Sequence, residues 1–335
     1  MTVKNFQHQH FAHCESGVIS LLLKHYGLEL SEPMVFGISG ALGFAYLPFF
    51  KFGNMPVISY RMFPGHIIKN LPKKLDIQYF RKTYRSQQKA MDELTDFIMN
   101  DQIVGIQTSA YFTTYFPPDM RFQFNAHNSI VIGKEDDEFI ISDPVFDSIK
   151  RIKSADLQKA RFAKGFSAPK GFVHYPLKVP QSIENLDKII ITSIKKTVRM
   201  MLYTPIPLIG IRGIHYLANH IERLSDKKEP VHVRQFLGNV VRMQEEIGTG
   251  GAGFRFIYAA FLQEAGDKLQ SSLLKDASAK MTQAGDLWRT FALACAKAVK
   301  NKDKASTVNT FPIARLLRQC ADAEKEIYLM LADIC

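Results

Sequence analysis

Cys14 stands in His13-Cys14-Glu15-Ser16-Gly17, directly before an apolar run, Val18 to Leu23, that reads as a buried helix. A thiol at a helix N-terminus sits near the positive end of the helix dipole, among backbone N–H groups without intrahelical partners. Both effects favour the nucleophilic thiolate. A cysteine nucleophile needs a base, and the base needs an orienting group. His127 opens the strand-like segment His127-Asn128-Ser-Ile-Val-Ile-Gly133, and Asp143 closes the next one in Ser142-Asp143-Pro144. The polar turn Lys134 to Asp137 makes a hairpin of the two, which sets positions 127 and 143 side by side. The spacing predicts that Cys14 attacks, His127 takes the thiol proton, and Asp143 fixes the imidazole tautomer and supports its positive charge. Such a trio transfers an acyl group through an enzyme thioester, to an amine or to water alike. The competing assignments are a small core cysteine, a strand histidine and an Asp-Pro turn.

The surrounding elements fall into two classes. Helical spacing is present over 15–27, ending at Gly27, and over 87–100, with strand-like stretches at 57–63, 76–81, 103–109, 128–133, 138–142 and 172–175. From residue 182 onward the pattern is almost wholly helical, over 183–201, 211–224, 231–247, 254–266, 268–300 with a break, and 312–333. The prolines of Tyr203-Thr-Pro-Ile-Pro207 separate the first two of these. Pro176 to Pro180 reads as the connection. The expectation is an α+β domain over 1–176 followed by an all-α domain over 177–335.

Bulk properties narrow the function classes. Four widely spaced cysteines, with no CxxC pair, give neither a disulfide framework nor a zinc motif. The polar, histidine-rich N-terminus is unlike a signal peptide. The longest uncharged stretch, Pro33 to Phe50, is interrupted by three glycines and two prolines, so no membrane span is expected. These features point to a reducing cytoplasm. The net charge of +11 suits an acidic partner or a phosphorylated cofactor, while no recognition motif accompanies it to suggest nucleic acid. His8, His10, His13 and Cys14 could ligate zinc, but tight binding would quench the thiolate, so no metal is expected.

The order of Cys, His and Asp resembles papain-like folds, and the strand, acidic turn and Asp-Pro pattern is similar to bacteriocin-processing cysteine peptidases. A closer resemblance is to the butirosin biosynthesis protein H family. It is carried by the segment 13–17, by Leu30-Ser31-Glu32-Pro33-Met34-Val35-Phe36-Gly37 and by Gly40-Ala-Leu-Gly43-Phe44-Ala-Tyr46, and in the helical half by Ile247-Gly248-Thr249-Gly250-Gly251-Ala252-Gly253-Phe254-Arg255 with Tyr258 to Ala265. The resemblance implies a papain-like cysteine-nucleophile domain joined to a substrate-selecting helical domain. It also implies transfer of an acyl or aminoacyl group from a carrier-protein or coenzyme A thioester to a small-molecule amine, with no tightly bound cofactor. A cysteine peptidase or amidohydrolase is the second reading, and a catalytically silent binding protein the third.

Further site expectations follow. Papain-like enzymes often carry an oxyanion-donating glutamine six residues before the cysteine. That position is His8 here, flanked by Gln7 and Gln9, and all three are candidates beside the Cys14 backbone N–H. Gly37-Ile-Ser-Gly40-Ala-Leu-Gly43 is spaced GxxGxxG, which is no dinucleotide fingerprint and suits close packing, beside an acyl pocket lined by Phe36, Phe44 and Tyr46. Gly250, Gly251 and Gly253 open a helix bearing Arg255 and Tyr258, a candidate site for a carboxylate or phosphate of the acyl donor. The alternative is an Arg255 paired with an internal carboxylate such as Glu264, and a Tyr258 that is simply core.

Overall fold

Successive residues of a strand face opposite sides of a sheet, so a strand buried at every position is covered on both faces. This is the case for residues 127–133, the apolar stretch of β5 (His127–Glu135). It lies inside a six-stranded antiparallel sheet of order β3-β8-β4-β5-β6-β7. Its companions are β3 (Gln78–Lys82), β4 (Val104–Thr108), β6 (Glu138–Ser142), β7 (Lys150–Lys153) and β8 (Val173–Lys178). Helix α1 (Cys14–His25) and α4 (Gln87–Met99) pack on β5, and α5 (Ser154–Arg161) packs on β4. Val18, Leu21 and Leu22 of α1 share one core with Leu94 and Ile98 of α4, Ile130 to Ile132 of β5 and Phe139 to Ile141 of β6. This computed structural model describes residues 2–52, 54–247, 249–300 and 306–334; Gly248 of the glycine segment named above lies outside the described residues.

The chain divides into two compact units, and one of them is assembled from separated segments. The first, 1–35 with 64–184, holds the sheet, α1, the start of α2 (Glu32–Ser39), α3 (His66–Lys74), α4 and α5. The second joins 36–63 to 185–335. It contains the hairpin β1 (Leu42–Phe52) and β2 (Met55–Arg61) with α6 (Leu186–Tyr203), α7 (Gly210–Glu222), α8 (Leu224–Lys227), α9 (Pro230–Val241), α10 (Arg255–Lys268), α11 (Ser272–Lys300) and α12 (Phe311–Ala332).

This differs from a single boundary near 176 in two ways. The apolar hairpin is drawn to helix surfaces: the Tyr46 N–H donates to the Leu208 carbonyl, and Phe44 and Tyr60 pack on Trp288 of α11. Pro176 is no connector either. It sits in β8 opposite Tyr79, at a register irregularity in β3 and beyond the residues that pair with β4, so its missing N–H interrupts no ladder there. The two segments together carry 24 Lys and Arg against 15 Asp and Glu, whereas the sheet unit carries 19 against 17, so the basic excess belongs to the helical unit. Among the described residues, no helix is long and apolar enough to cross a membrane.

The sheet also buries a histidine. His174 of β8 stands opposite Gly105 of β4, and a Cβ at 105 would lie 2.4 Å from its ring. Its Nδ1 meets the Tyr79 hydroxyl at 2.9 Å. Burial, reinforced by the nearby Arg81 charge, pushes its pKa down to about 3. The unfolded chain binds a proton near pH 6.5 that the folded chain refuses until about pH 3. Stability is therefore whole above pH 6.5 and falls as pH drops through that window, by up to ~1.4 kcal/mol per pH unit. Urea denaturation at stepped pH should show this loss, and His174→Gln should flatten it; an unchanged slope in the variant would assign the acid sensitivity elsewhere.

Candidate active site

The segment 13–17 is built to hold a helix start in one place. His13 caps α1, its Nδ1 accepting from the Ser16 N–H at 3.3 Å. The buried carboxylate of Glu32 accepts from the N–H groups of Ala12 (2.9 Å) and His13 (2.8 Å) and from the Ser16 hydroxyl (2.9 Å). Burial raises the Glu32 pKa, and those three hydrogen bonds work against the rise. Glu15, also buried, accepts from the Ile67 N–H at 2.8 Å and so caps the first turn of α3. Gly17 has no room for a side chain: a Cβ there would lie 2.8 Å from Pro144 Cβ and 2.9 Å from Phe11 Cβ. The Phe11 N–H donates to the Pro144 carbonyl at 2.6 Å. His13, Glu15 and Ser16 thus fix the N-terminus of α1 against its surroundings, and Gly17 brings it onto the chain that leaves β6.

The other two groups arrive from the sheet. A two-residue turn with Asp136 at φ 49° joins β5 to β6, closing on the pair Glu135 and Glu138. A bulge between Val131 and Gly133 then shifts the register so that Ile130 faces Ser142. The next residue, Asp143, comes level with Ser129, diagonal to His127 and on its side of the sheet. His127 Nε2 and Asp143 Oδ2 lie 2.6 Å apart, both buried. Cys14 also interacts with the imidazole and helps raise its pKa, and with Nε2 committed to Asp143 the nitrogen left for the thiol is Nδ1. Burial alone would lower the His127 pKa. The Asp143 charge and hydrogen bond, with the Cys14 contact added, outweigh it and hold the group up to about 10.

Asp143 is itself fully engaged. Its Oδ1 accepts from the Val145 N–H at 3.2 Å, and Oδ2 also accepts from the Tyr115 hydroxyl at 2.8 Å. Burial, followed by the Asp143 charge, pushes the Tyr115 pKa well above its ordinary value, which keeps the phenol a donor. Phe116 stands edge-on to the His127 ring at 4.9 Å and packs on Phe146, so aromatic rings flank the imidazole and strengthen its pairing with the carboxylate. The arrangement can do one kind of chemistry: a thiol backed by an oriented, charge-supported imidazole.

Other expected site residues are placed elsewhere. His8 is not an oxyanion donor facing the thiol, because both ring nitrogens are spent, Nε2 on the Phe146 carbonyl (3.0 Å) and Nδ1 on Ser142 Oγ (2.8 Å). Gln7 and Gln9 are exposed on the segment leading to α1. Phe44 and Tyr46 are buried in the helical unit, Phe44 against Tyr60 and Tyr46 against Phe236, so both pack as core residues there. Gly37 packs as expected, since a Cβ would fall 2.0 Å from the Phe261 ring.

Arg255 is a correction. It is 0% exposed and bound to Glu324 by Nε at 2.8 Å and Nη2 at 3.2 Å, and its Nη1 donates to the Gly253 carbonyl. The same carboxylate accepts from Trp288 Nε1 and the Tyr328 hydroxyl. With the guanidinium fully buried and three of its five N–H groups committed inside the protein, it offers no open anion site, and the paired carboxylate is Glu324 rather than Glu264. Gly250, Gly251 and Gly253 all take positive φ, and a Cβ at Gly253 would collide with Tyr60 at 2.4 Å, so this glycine run serves packing. Tyr258 is buried in α10 against Phe261. A cavity of about 690 Å³ in the sheet unit is lined by residues of 83–85 and 162–170 and by none of Cys14, His127 and Asp143.

Sequence reasoning missed Tyr115, Glu32 and the thiol-facing Asn128. Glu32 stood inside a recognised segment, but nothing local said what it would bind. Tyr115 lies in an irregular connection, with no periodicity to mark it.

A cysteine on a helix start, backed by His and Asp on neighbouring antiparallel strands, defines a papain-like cysteine-enzyme arrangement within an α+β unit. Residues 13–144 match the family described as "Butirosin biosynthesis protein H, N-terminal", and residues 155–331, more than half of the chain, match "Domain of unknown function (DUF4872)". The chain belongs to the family that this second domain defines, with a butirosin biosynthesis protein H type domain before it. No curated protein matches the chain. A solved structure described as a C39-like peptidase from Bacillus anthracis is 16% identical and covers 53% of this chain and 96% of that one. The TM-score is 0.36.

Two outcomes follow from these contacts. Gly17→Ala should force α1 away from Pro144 and slow alkylation of Cys14 by iodoacetamide roughly tenfold or more, because small displacements of paired reactive groups are costly; circular dichroism should show the helices intact. Arg255→Ala should lower stability to urea by about 3–5 kcal/mol, as expected when one partner of a buried ion pair is removed. Arg255→Lys should rescue little of it, since the two-nitrogen grip on Glu324 is lost.

Proposed function

We propose that this protein is a cysteine-dependent acyltransferase that moves an acyl or aminoacyl group from a thioester donor to an amine. The carrying observation is the buried His127–Asp143 pair, whose imidazole Cys14 helps to hold protonated. In this reading the Cys14 thiolate attacks the donor's carbonyl carbon. A new C–S bond forms, the donor C–S bond breaks, and the departing thiolate takes the proton held on His127. An amine then attacks the acyl-enzyme while His127 removes its proton, giving an amide and returning thiolate and imidazolium. Asp143, held by Tyr115 and the Val145 N–H, keeps the imidazole oriented through both halves. The Cys14 backbone N–H, in the first turn of α1, donates to the oxyanion of each tetrahedral intermediate.

The choice of a thioester donor and an amine acceptor rests on the butirosin biosynthesis protein H domain. The basic excess of the helical unit suits a donor carried on an acidic carrier protein or on coenzyme A. Cytoplasmic residence fits such donors and belongs to the same proposal. Intact-mass spectrometry after incubation with a panel of acyl-coenzyme A and acyl-carrier thioesters tests it. An acyl adduct lost in Cys14→Ala, abolished or slowed at least ~100-fold in His127→Ala, and discharged faster by amines than by water is the expected result. Absence of any adduct, together with cleavage of peptides or amides, would replace it with hydrolysis.

A further inference from the structure

Asn128 follows His127 in β5 and is 0% exposed. Its Nδ2 donates to the Ala126 carbonyl at 3.0 Å and is directed at Cys14 Sγ, 3.9 Å away. The Ala126 contact fixes which end of the amide faces the sulfur, because reversing it would set two carbonyl oxygens against each other. The amide nitrogen carries two hydrogens, so one serves Ala126 and the other is left for the sulfur. Its Oδ1, by contrast, has no hydrogen-bond partner among the described residues. A buried acceptor without a partner destabilises the fold, and an apolar residue of the same size would avoid that penalty. Packing alone therefore does not account for an asparagine here.

We propose that Asn128 is a positioning residue of the Cys14 centre, whose side-chain amide donates a hydrogen bond to the sulfur and holds it as thiolate beside His127. A charged acceptor draws a donor closer than a neutral thiol does, so the contact tightens when the proton moves to the imidazole. His127 and Asn128 are consecutive in β5, so one segment of strand supplies both the proton acceptor and the second partner of the sulfur. This assigns the residue a task at the start of the reaction, in forming the nucleophile, rather than in binding either substrate.

The proposal rests on Cys14 being the reactive thiol, but its test needs no acyl donor. The full-length protein is alkylated with iodoacetamide across a pH series, and modification of the Cys14 peptide is followed by mass spectrometry. Asn128→Ala and the similarly sized Asn128→Leu should both move the profile to higher pH, with alkylation at pH 7 about tenfold slower, which corresponds to one pH unit. If neither variant folds, wild-type protein labelled with ¹⁵N-asparagine decides: alkylation of Cys14 should shift one side-chain amide pair that is unshifted in Cys14→Ala treated the same way. A profile unchanged in the variants, or no amide shift in the wild type, overturns the role of Asn128. Failure of the acyltransferase reading shows separately, as a wild-type Cys14 that alkylates with an Asn128-dependent profile yet forms no adduct with any thioester.

Discussion

The close approach of α1 to the chain leaving β6 is the constraint on which the candidate site depends. A helix carries the thiol, two strands carry the imidazole and carboxylate, and only contact between these elements can join them. Gly17 makes the contact by having no side chain where Pro144 and Phe11 lie. Glu32 then ties the three residues around the helix start into one orientation by gathering hydrogen bonds from Ala12, His13 and Ser16. The burial of α1 between these anchors and the sheet core supplies the hydrophobic free energy that holds the arrangement closed.

The same economy of polar contacts recurs in the helical unit. Glu324 gathers Arg255, Trp288 and Tyr328 around one fully buried carboxylate, and burial's penalty on the Arg255 charge is more than offset by that partner. A buried charge is tolerated when every lone pair has a donor, and here the donors come from three different helices. The glycine segment that precedes α10 is shaped by this packing: the Gly253 carbonyl accepts a further hydrogen bond from the guanidinium, and the missing side chain of Gly253 makes space for Tyr60 of the hairpin. A motif that reads as an anion site in one dimension is, in three, the seam between a hairpin and a helix.

The readable parts of the sequence were those in which local physics and long-range structure agree. Helices from 186 onward carry apolar residues at helical spacing, so their existence and most of their limits follow from periodicity. The hairpin of β5 and β6 was legible because a polar turn separates two β-branched runs. The first half was harder. Residues 33–50 form one uncharged stretch, rich in apolar residues and punctuated by glycines, in which helix and strand share the same composition, so nothing local separates α2 from β1. That β1 and β2 belong with helices lying more than a hundred residues later is a property of packing, with no local mark.

By itself the sequence determined which chemistry was available: a thiol at a helix start, and a histidine and an aspartate on strands joined by a short turn. Those assignments depend on residue type and on interactions a few residues long, which a linear text contains. Only the tertiary structure decided which polar groups are spent and which face the thiol. His8 was removed from the site by Phe146 and Ser142, Arg255 by Glu324, and Asn128 and Tyr115 were brought in. Each of these outcomes turns on a partner distant in sequence, and burial makes such a partner decisive, because a polar group cut off from water is committed to whatever donor or acceptor the fold sets beside it.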